Sequence, residues 1–156
     1  MNKLIVLLLF VLIVVGSNAQ SKNVLFLGNS YTYVNNLPNT LELLANSFGD
    51  SLTHDQNTPG GQNMQGHSTN ATSLGKIAVG GWDFVAIQSQ SQEPSFSPSQ
   101  VATDVYPYAA IICDSIRAAD QCVEPLFFMT WGRKNGDASN CPFYPPICTY
   151  DGMQNR

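Results

Sequence analysis

The chain has 156 residues, 44% of them apolar and only 12% charged, with seven basic and eleven acidic side chains and a formal charge of −4. A mildly acidic, charge-poor chain carries no basic footprint for nucleic acid and no polybasic patch for a membrane surface. There is no internal repeat and no long low-complexity tract.

Lys3, an unbroken apolar run from Leu4 to Val15, and the small residues Ser17-Asn18-Ala19 read as a secretory signal peptide, cut between Ala19 and Gln20. Twelve apolar residues are short against the roughly 20 needed to span a bilayer. No Cys follows the cut, so a lipid anchor is not indicated. The expected mature protein is secreted or periplasmic, with residues 1–19 removed and residues 20–156 forming one domain. Losing Lys3 moves the formal charge from −4 to −5, and the remaining 137 of the 156 residues are enough for a real core.

Val24-Leu25-Phe26-Leu27, ended by Gly28, reads as a short strand buried on both faces. Leu37 to Phe48 reads as a helix, because Leu37, Leu41, Leu44 and Phe48 recur at three- and four-residue steps. Strand, loop and helix make half of an α/β unit, and open α/β sheets place ligands in the loop at the strand's carboxyl end. Ser30 stands in that loop, just ahead of a helix whose first amides and dipole favour developing negative charge.

Ser51 to Thr58 alternates weakly and is expected at a sheet edge, broken by Pro59-Gly60-Gly61. The two glycines either free an amide to approach a site or make a plain turn. Asn70 to Val79 is a weakly signalled helix. Asp83 to Ile87 is the clearest later strand, and it runs into the amide- and hydroxyl-rich loop Gln88-Ser-Gln-Ser-Gln-Glu-Pro94. Val101, Val105, Ala109, Ile112, Ile116 and Ala119 carry a helical period from about Ser99, with Pro107 either kinking the helix or marking its true first turn. Val123 to Met129 is the fourth strand. Gly136 to Tyr150 has no period, and Asp151 to Arg156 opens like a helix.

Cys113, Cys122, Cys141 and Cys148 form an even set, which an oxidising compartment turns towards disulfides. Four cysteines allow three connectivities. The local pairs Cys113–Cys122 and Cys141–Cys148 are expected, each closing a short loop. Their spacings do not match the x2–x4 of structural zinc sites, so no metal and no cofactor are expected.

A nucleophilic serine needs a base, a group to orient that base, and oxyanion donors. The only histidines are His54, in the expected edge strand, and His67, in the loop after the glycine pair. Leu25-Phe-Leu-Gly-Asn-Ser-Tyr-Thr32 resembles the first motif of the SGNH (GDSL-like) hydrolases, with Asn29 where many members carry Asp. Gly60-Gly61-Gln-Asn-Met-Gln-Gly-His67 is similar to the glycine-bearing second motif. Trp82-Asp-Phe-Val-Ala-Ile-Gln-Ser-Gln-Ser91 is similar to the strand leading to the third. The glutamine-rich form resembles a branch of secreted bacterial members.

The resemblance implies a three-layer α/β/α, flavodoxin-like fold with a central parallel sheet, and ester hydrolysis through an acyl-enzyme. It gives Ser30 as nucleophile, with the Ser30 and Gly61 amides and the side chain of Gln88 or Gln90 (Gln92 as a further candidate) holding the oxyanion. The family's last strand, last helix and Asp-x-x-His motif are not in the sequence, so the chain is expected to be the front part of a longer enzyme, nearly inactive as it stands. The substrate implied is a small-molecule or carbohydrate ester, O-acetyl groups included. Two alternatives stay open: a non-catalytic carbohydrate- or ligand-binding domain on the same scaffold, with Trp82, Trp131 and tyrosines stacking on sugar, and a short enzyme using His67 as base.

Overall fold

The computed structural model describes residues 19–156, so the expected leader lies outside the described residues except for Ala19. Four strands, β1 (Ser21–Leu27), β2 (Ser51–Asn57), β3 (Phe84–Ile87) and β4 (Glu124–Phe127), form one parallel sheet in the order β2-β1-β3-β4. The first half carries α1 (Ser30–Tyr33), α2 (Leu37–Ser47), α3 (Met64–Thr69) and α4 (Ala71–Val79). The second half carries α5 (Pro98–Asp104), α6 (Tyr106–Ala119) and the short α7 (Tyr150–Gln154).

Parallel register puts Leu25, Val85 and Pro125 on one face, with Leu27, Ile87 and Phe127 beside them. Leu25, Leu27, Val85 and Ile87 are fully buried there against Met64, Ile77, Ile112 and Ile116 of α3, α4 and α6, which makes the main core. The opposite face carries Val24, Phe26, His54 and Gln56, and α2 packs over its β2 side. Helices therefore flank both faces of a parallel sheet, as a three-layer α/β fold requires.

The helices depart from the expected boundaries for local reasons. Asn35 and Asn36 take positive φ (59° and 51°), which ends one helical turn after Ser30 and restarts the chain as α2 with Pro38 in its first turn. The apolar stripe of α2 is real but poorly covered among the described residues, with Leu44 53% and Phe48 78% exposed. The expected helix from Ser99 is two helices. Ser97 opens α5 with a capping box to Gln100, and Val105 breaks the run so that Pro107 sits in the first turn of α6. Asn70 caps α4 by accepting from the amides of Thr72 and Ser73.

One expected disulfide forms and the other does not. Cys141 and Cys148 are bonded, with Cα atoms 4.8 Å apart, whereas Cys113 and Cys122 are both free. Cys113 is buried on the inner side of α6, and a helix rises about 1.5 Å per residue, so the six residues from Cys113 to the end of α6 carry the chain roughly 9 Å along the axis. Disulfides need Cα atoms about 4.4–6.8 Å apart. Short sequence spacing was misleading because most of that spacing is rigid helix.

Candidate active site

In a sheet of this order the direction of winding reverses between β1 and β3, and ligands bind at the carboxyl ends flanking that point. The residues there are Gly28-Asn29-Ser30 after β1 and Gln88 to Ser91 after β3. Gly28 has no room for a side chain: an added Cβ would meet the Thr32 hydroxyl and lie 2.9 Å from Gln88 Oε1. Asn29 then does three jobs at once. Its Oδ1 accepts from the Tyr31 amide (3.1 Å), its Nδ2 donates to the Gln62 carbonyl (2.8 Å), and its own amide donates to Gln88 Oε1 (3.0 Å). The first and third of these fix the entry to α1; the second ties the Gly60-Gly61 turn to the serine.

Gln88 is 1% exposed and acts as a strut. Its Oε1 accepts from the Asn29 amide and the Thr32 hydroxyl (3.0 Å each), and its Nε2 donates to the Ser89 carbonyl. It therefore holds the turn from within, and one N–H of its Nε2 has no acceptor among the described residues. Gln90 is half-buried; its Oε1 accepts from the Gln92 amide and its Nε2 donates to Gln92 Oε1, both at 2.7 Å, leaving one N–H unspent. Glu93, which sequence reasoning passed over, is buried and pins the loop to α3. It accepts from the Ser89 hydroxyl and from Asn63 Nδ2 (3.1 Å).

His67 lies in α3 rather than in a loop, and it is completely buried. Its Nε2 is 2.9 Å from the Gly28 carbonyl and its Nδ1 is 2.8 Å from the Ser73 hydroxyl. A carbonyl only accepts, so Nε2 carries the proton and Nδ1 accepts from Ser73. The Ser73 oxygen in turn accepts from Asn57 Nδ2 (2.8 Å). Burial lowers the imidazole pKa below its ordinary value, against a smaller upward push from the Gly28 carbonyl, so the ring is held neutral. With both nitrogens committed, His67 is a brace behind the serine turn and has no free lone pair to take the Ser30 proton. His54 sits mid-strand on β2, with Nε2 3.2 Å from Glu42 of α2.

What remains free is specific. The Ser30 hydroxyl makes no hydrogen bond among the described residues, and Ser30 is half-buried at the first position of α1. The Ser30 amide is one of the donors a helix start leaves unpaired. The Gly61 amide, in a turn that needs φ of +72°, has no acceptor among the described residues either. Those are the donor types an oxyanion hole uses. No group of three or more His, Cys, Asp or Glu side chains suited to a metal occurs among the described residues.

Two clefts adjoin this edge. The larger, about 530 Å³, runs along Phe127, Phe128, Val101, Val105 and Met64 on the core-facing side of β4, and Ser30 does not line it. The smaller, about 460 Å³, is lined by Tyr31, Trp131, Gly132, Arg133, Lys134 and Tyr150. Ser30 does not line it either, but its neighbour Tyr31 does, which sets this cleft beside the serine turn. Trp131 packs on Tyr31 with ring centroids 4.9 Å apart. Trp82 is elsewhere: it precedes β3, its Nε1 donating to the Lys76 carbonyl (2.9 Å).

Fold and site together define a three-layer α/β protein of flavodoxin-like strand order, with a serine and unpaired amides at the switch point. No protein-family model matches the chain, and no curated protein matches it. Among solved structures it is similar to the crystal structure of a DUF4886 family protein from Bacteroides uniformis ATCC 8492, at a TM-score of 0.65 and 17% identity over 85% of this chain. The chain spans 58% of that structure's length. At such an identity the likeness shows the fold alone. Among the described residues no helix is long and apolar enough to cross a membrane, and one disulfide is present.

Proposed function

We propose that the protein is an exported serine hydrolase of the SGNH type, cleaving esters, O-acyl groups of carbohydrates among them, through an acyl-enzyme on Ser30. The observation that carries this reading is the Ser30 hydroxyl, unbonded among the described residues at the switch point, with its own amide unspent and the Gly61 turn, whose amide is also unspent, tied to the serine turn through Asn29 and Gln62. In the first step Ser30 Oγ attacks the ester carbonyl and gives its proton to a base. The two amides hold the oxyanion, the alcohol leaves with that proton, and water then releases the acid by the reverse transfers. Gln90 contributes its remaining N–H; Gln88 and His67 act through the backbone they hold.

The base is neither histidine described here. The reading takes it, with its orienting acid, from an Asp-x-x-His segment that residues 19–156 do not contain. The test uses the full-length protein and a fluorophosphonate probe. Labelling should occur and should vanish in Ser30→Ala, with ester hydrolysis falling by roughly 10³ or more. Absence of labelling in the full-length wild-type protein would sink the hydrolase reading. It would leave the second one, a non-catalytic carbohydrate-binding domain, which the commitment of both His67 nitrogens favours.

A further inference from the structure

The loop after β4 carries two adjacent cations, Arg133 and Lys134, in a chain whose overall charge is negative. A pair of loop cations is usually solvated, but Arg133 is held. Its Nε and Nη2 both donate to the Ser91 hydroxyl (3.2 and 3.1 Å), which ties the guanidinium to the loop after β3. Its Nη1 lies 3.9 Å from the fully buried carboxylate of Asp137. That carboxylate is itself fixed by Asn140 Nδ2 (2.7 Å) and the amides of Ser139 (3.2 Å) and Asn140 (3.4 Å). Ser91 engages the Nε–Nη2 edge, so the Nη1–Nη2 end of the fork keeps donors for a ligand. That end, like the Nε–Nη2 edge, can pair with a carboxylate through two parallel hydrogen bonds.

Around this guanidinium stand three aromatic rings of the smaller cleft: Tyr31, Trp131 and Tyr150. The Tyr150 backbone packs closely on Gly132, where an added Cβ would lie 2.7 Å from the Tyr150 carbonyl oxygen. Trp131 remains 49% and Tyr150 43% exposed, so their surfaces are available. The cleft's 460 Å³ falls within the range of about 300–1,000 Å³ usual for small-molecule sites.

We propose that this cleft is a subsite for an acidic sugar, a pyranose bearing one carboxylate. Its C–H faces lie against Trp131 and Tyr31, and its carboxylate meets Arg133 with Lys134 alongside. The charge count selects a monoanion: Arg133 and Lys134 bring two positive charges, and Asp137 behind Arg133 offsets one. The aromatic rings select a ring over a bare anion. As a substrate subsite it rests on the hydrolase reading, since its place beside Ser30 is what ties it to the reaction; as a binding site it stands separately.

The test is a calorimetric titration of the full-length protein with trigalacturonate and with its carboxyl-reduced, neutral counterpart. The acid should bind at least about tenfold tighter, as expected where a charge-assisted fork replaces neutral hydrogen bonds. Arg133→Gln should abolish the preference, and Lys134→Gln, an exposed residue with no ion pair among the described residues, should reduce it about threefold through lost local charge. Thermal melting checks that each variant is folded, and the Lys134 variant carries the test if Arg133→Gln is not. Equal binding of the two sugars, no binding of either, or equally good binding of acetate or inorganic phosphate overturns the proposal. Fluorophosphonate labelling is read independently: labelling without an acid preference removes the subsite alone, and an acid preference without labelling removes the hydrolase reading alone.

Discussion

After β1 and β3, almost every polar side chain is spoken for. Asn29, Gln88, Ser89, Glu93, His67 and Ser73 are all buried and bonded to one another or to the backbone of the serine turn. After β4, the loop is staked at a few points and open between them. Gly136 (φ +70°) and Gly152 let the chain fold back on itself, Asp137 gathers two amides and a side chain, and the Cys141–Cys148 bond closes the segment. Between those stakes Trp131, Lys134 and Tyr150 face solvent. The first region is built to hold a backbone geometry, and the second to present surfaces around it. Buried polar networks rigidify only when every member is satisfied, so the two regions should fail differently.

The largest effect is expected from Gln88→Ala. It strips the acceptor from the buried Asn29 amide and Thr32 hydroxyl, at about 3 kcal/mol for the two orphaned donors together. A melting temperature lowered by roughly 10 °C would follow for a domain of this size. A shift of only a degree or two would show that the network is not the rigid part. Replacing Cys141 and Cys148 together by Ser should cost less, about 2 kcal/mol for so short a loop, and should leave the serine turn intact in hydrogen exchange. By intact mass, the unreduced wild-type protein should weigh two hydrogens less than the reduced one. A difference of four would restore the Cys113–Cys122 bridge that the structure lacks.

The smallest effect is graded with pH. His67 is neutral when folded, its pKa lowered by burial, while in the unfolded chain it takes up a proton near the ordinary value of about 6.5. The folded state therefore binds fewer protons in that window. Stability should be flat above about pH 6.5 and fall as the pH drops below it, towards the folded pKa. His67→Gln should flatten that slope while lowering stability at neutral pH; an unchanged slope would assign the proton uptake elsewhere.

The parts of this design that were legible in the sequence are those carried by local pattern. The buried run Val24 to Leu27, the glycine after it and Ser30 ahead of a helix gave the switch-point position. The apolar period of α6 predicted its inner face. Gln88 was legible as a residue of the site, but not its role, because amide donors and acceptors look alike until partners are known; the groups that donate to its Oε1 come from the turn after β1 and from α1, over fifty positions away. His67 was read as a loop residue because the six-residue α3 has no apolar period to announce it. Its capping residue Asn63, whose side chain accepts from the Gly66 amide, was the available signal. Arg133 has no signal in the sequence to set it apart from a solvated loop cation, because Ser91, which holds it, lies on another loop.

The outer edge of β4 has a consequence for anyone handling the protein. Leu126 is 41% and Phe127 56% exposed on β4, with Met129 just beyond it 82% exposed; no strand among the described residues covers that edge, and an uncovered strand edge is a template on which a second chain can pair. Pro125, which has no amide hydrogen to donate, interrupts that template at one position only. For a preparation of residues 19–156 alone, shelf life should therefore shorten steeply with concentration, through association along β4 while the serine turn is still folded.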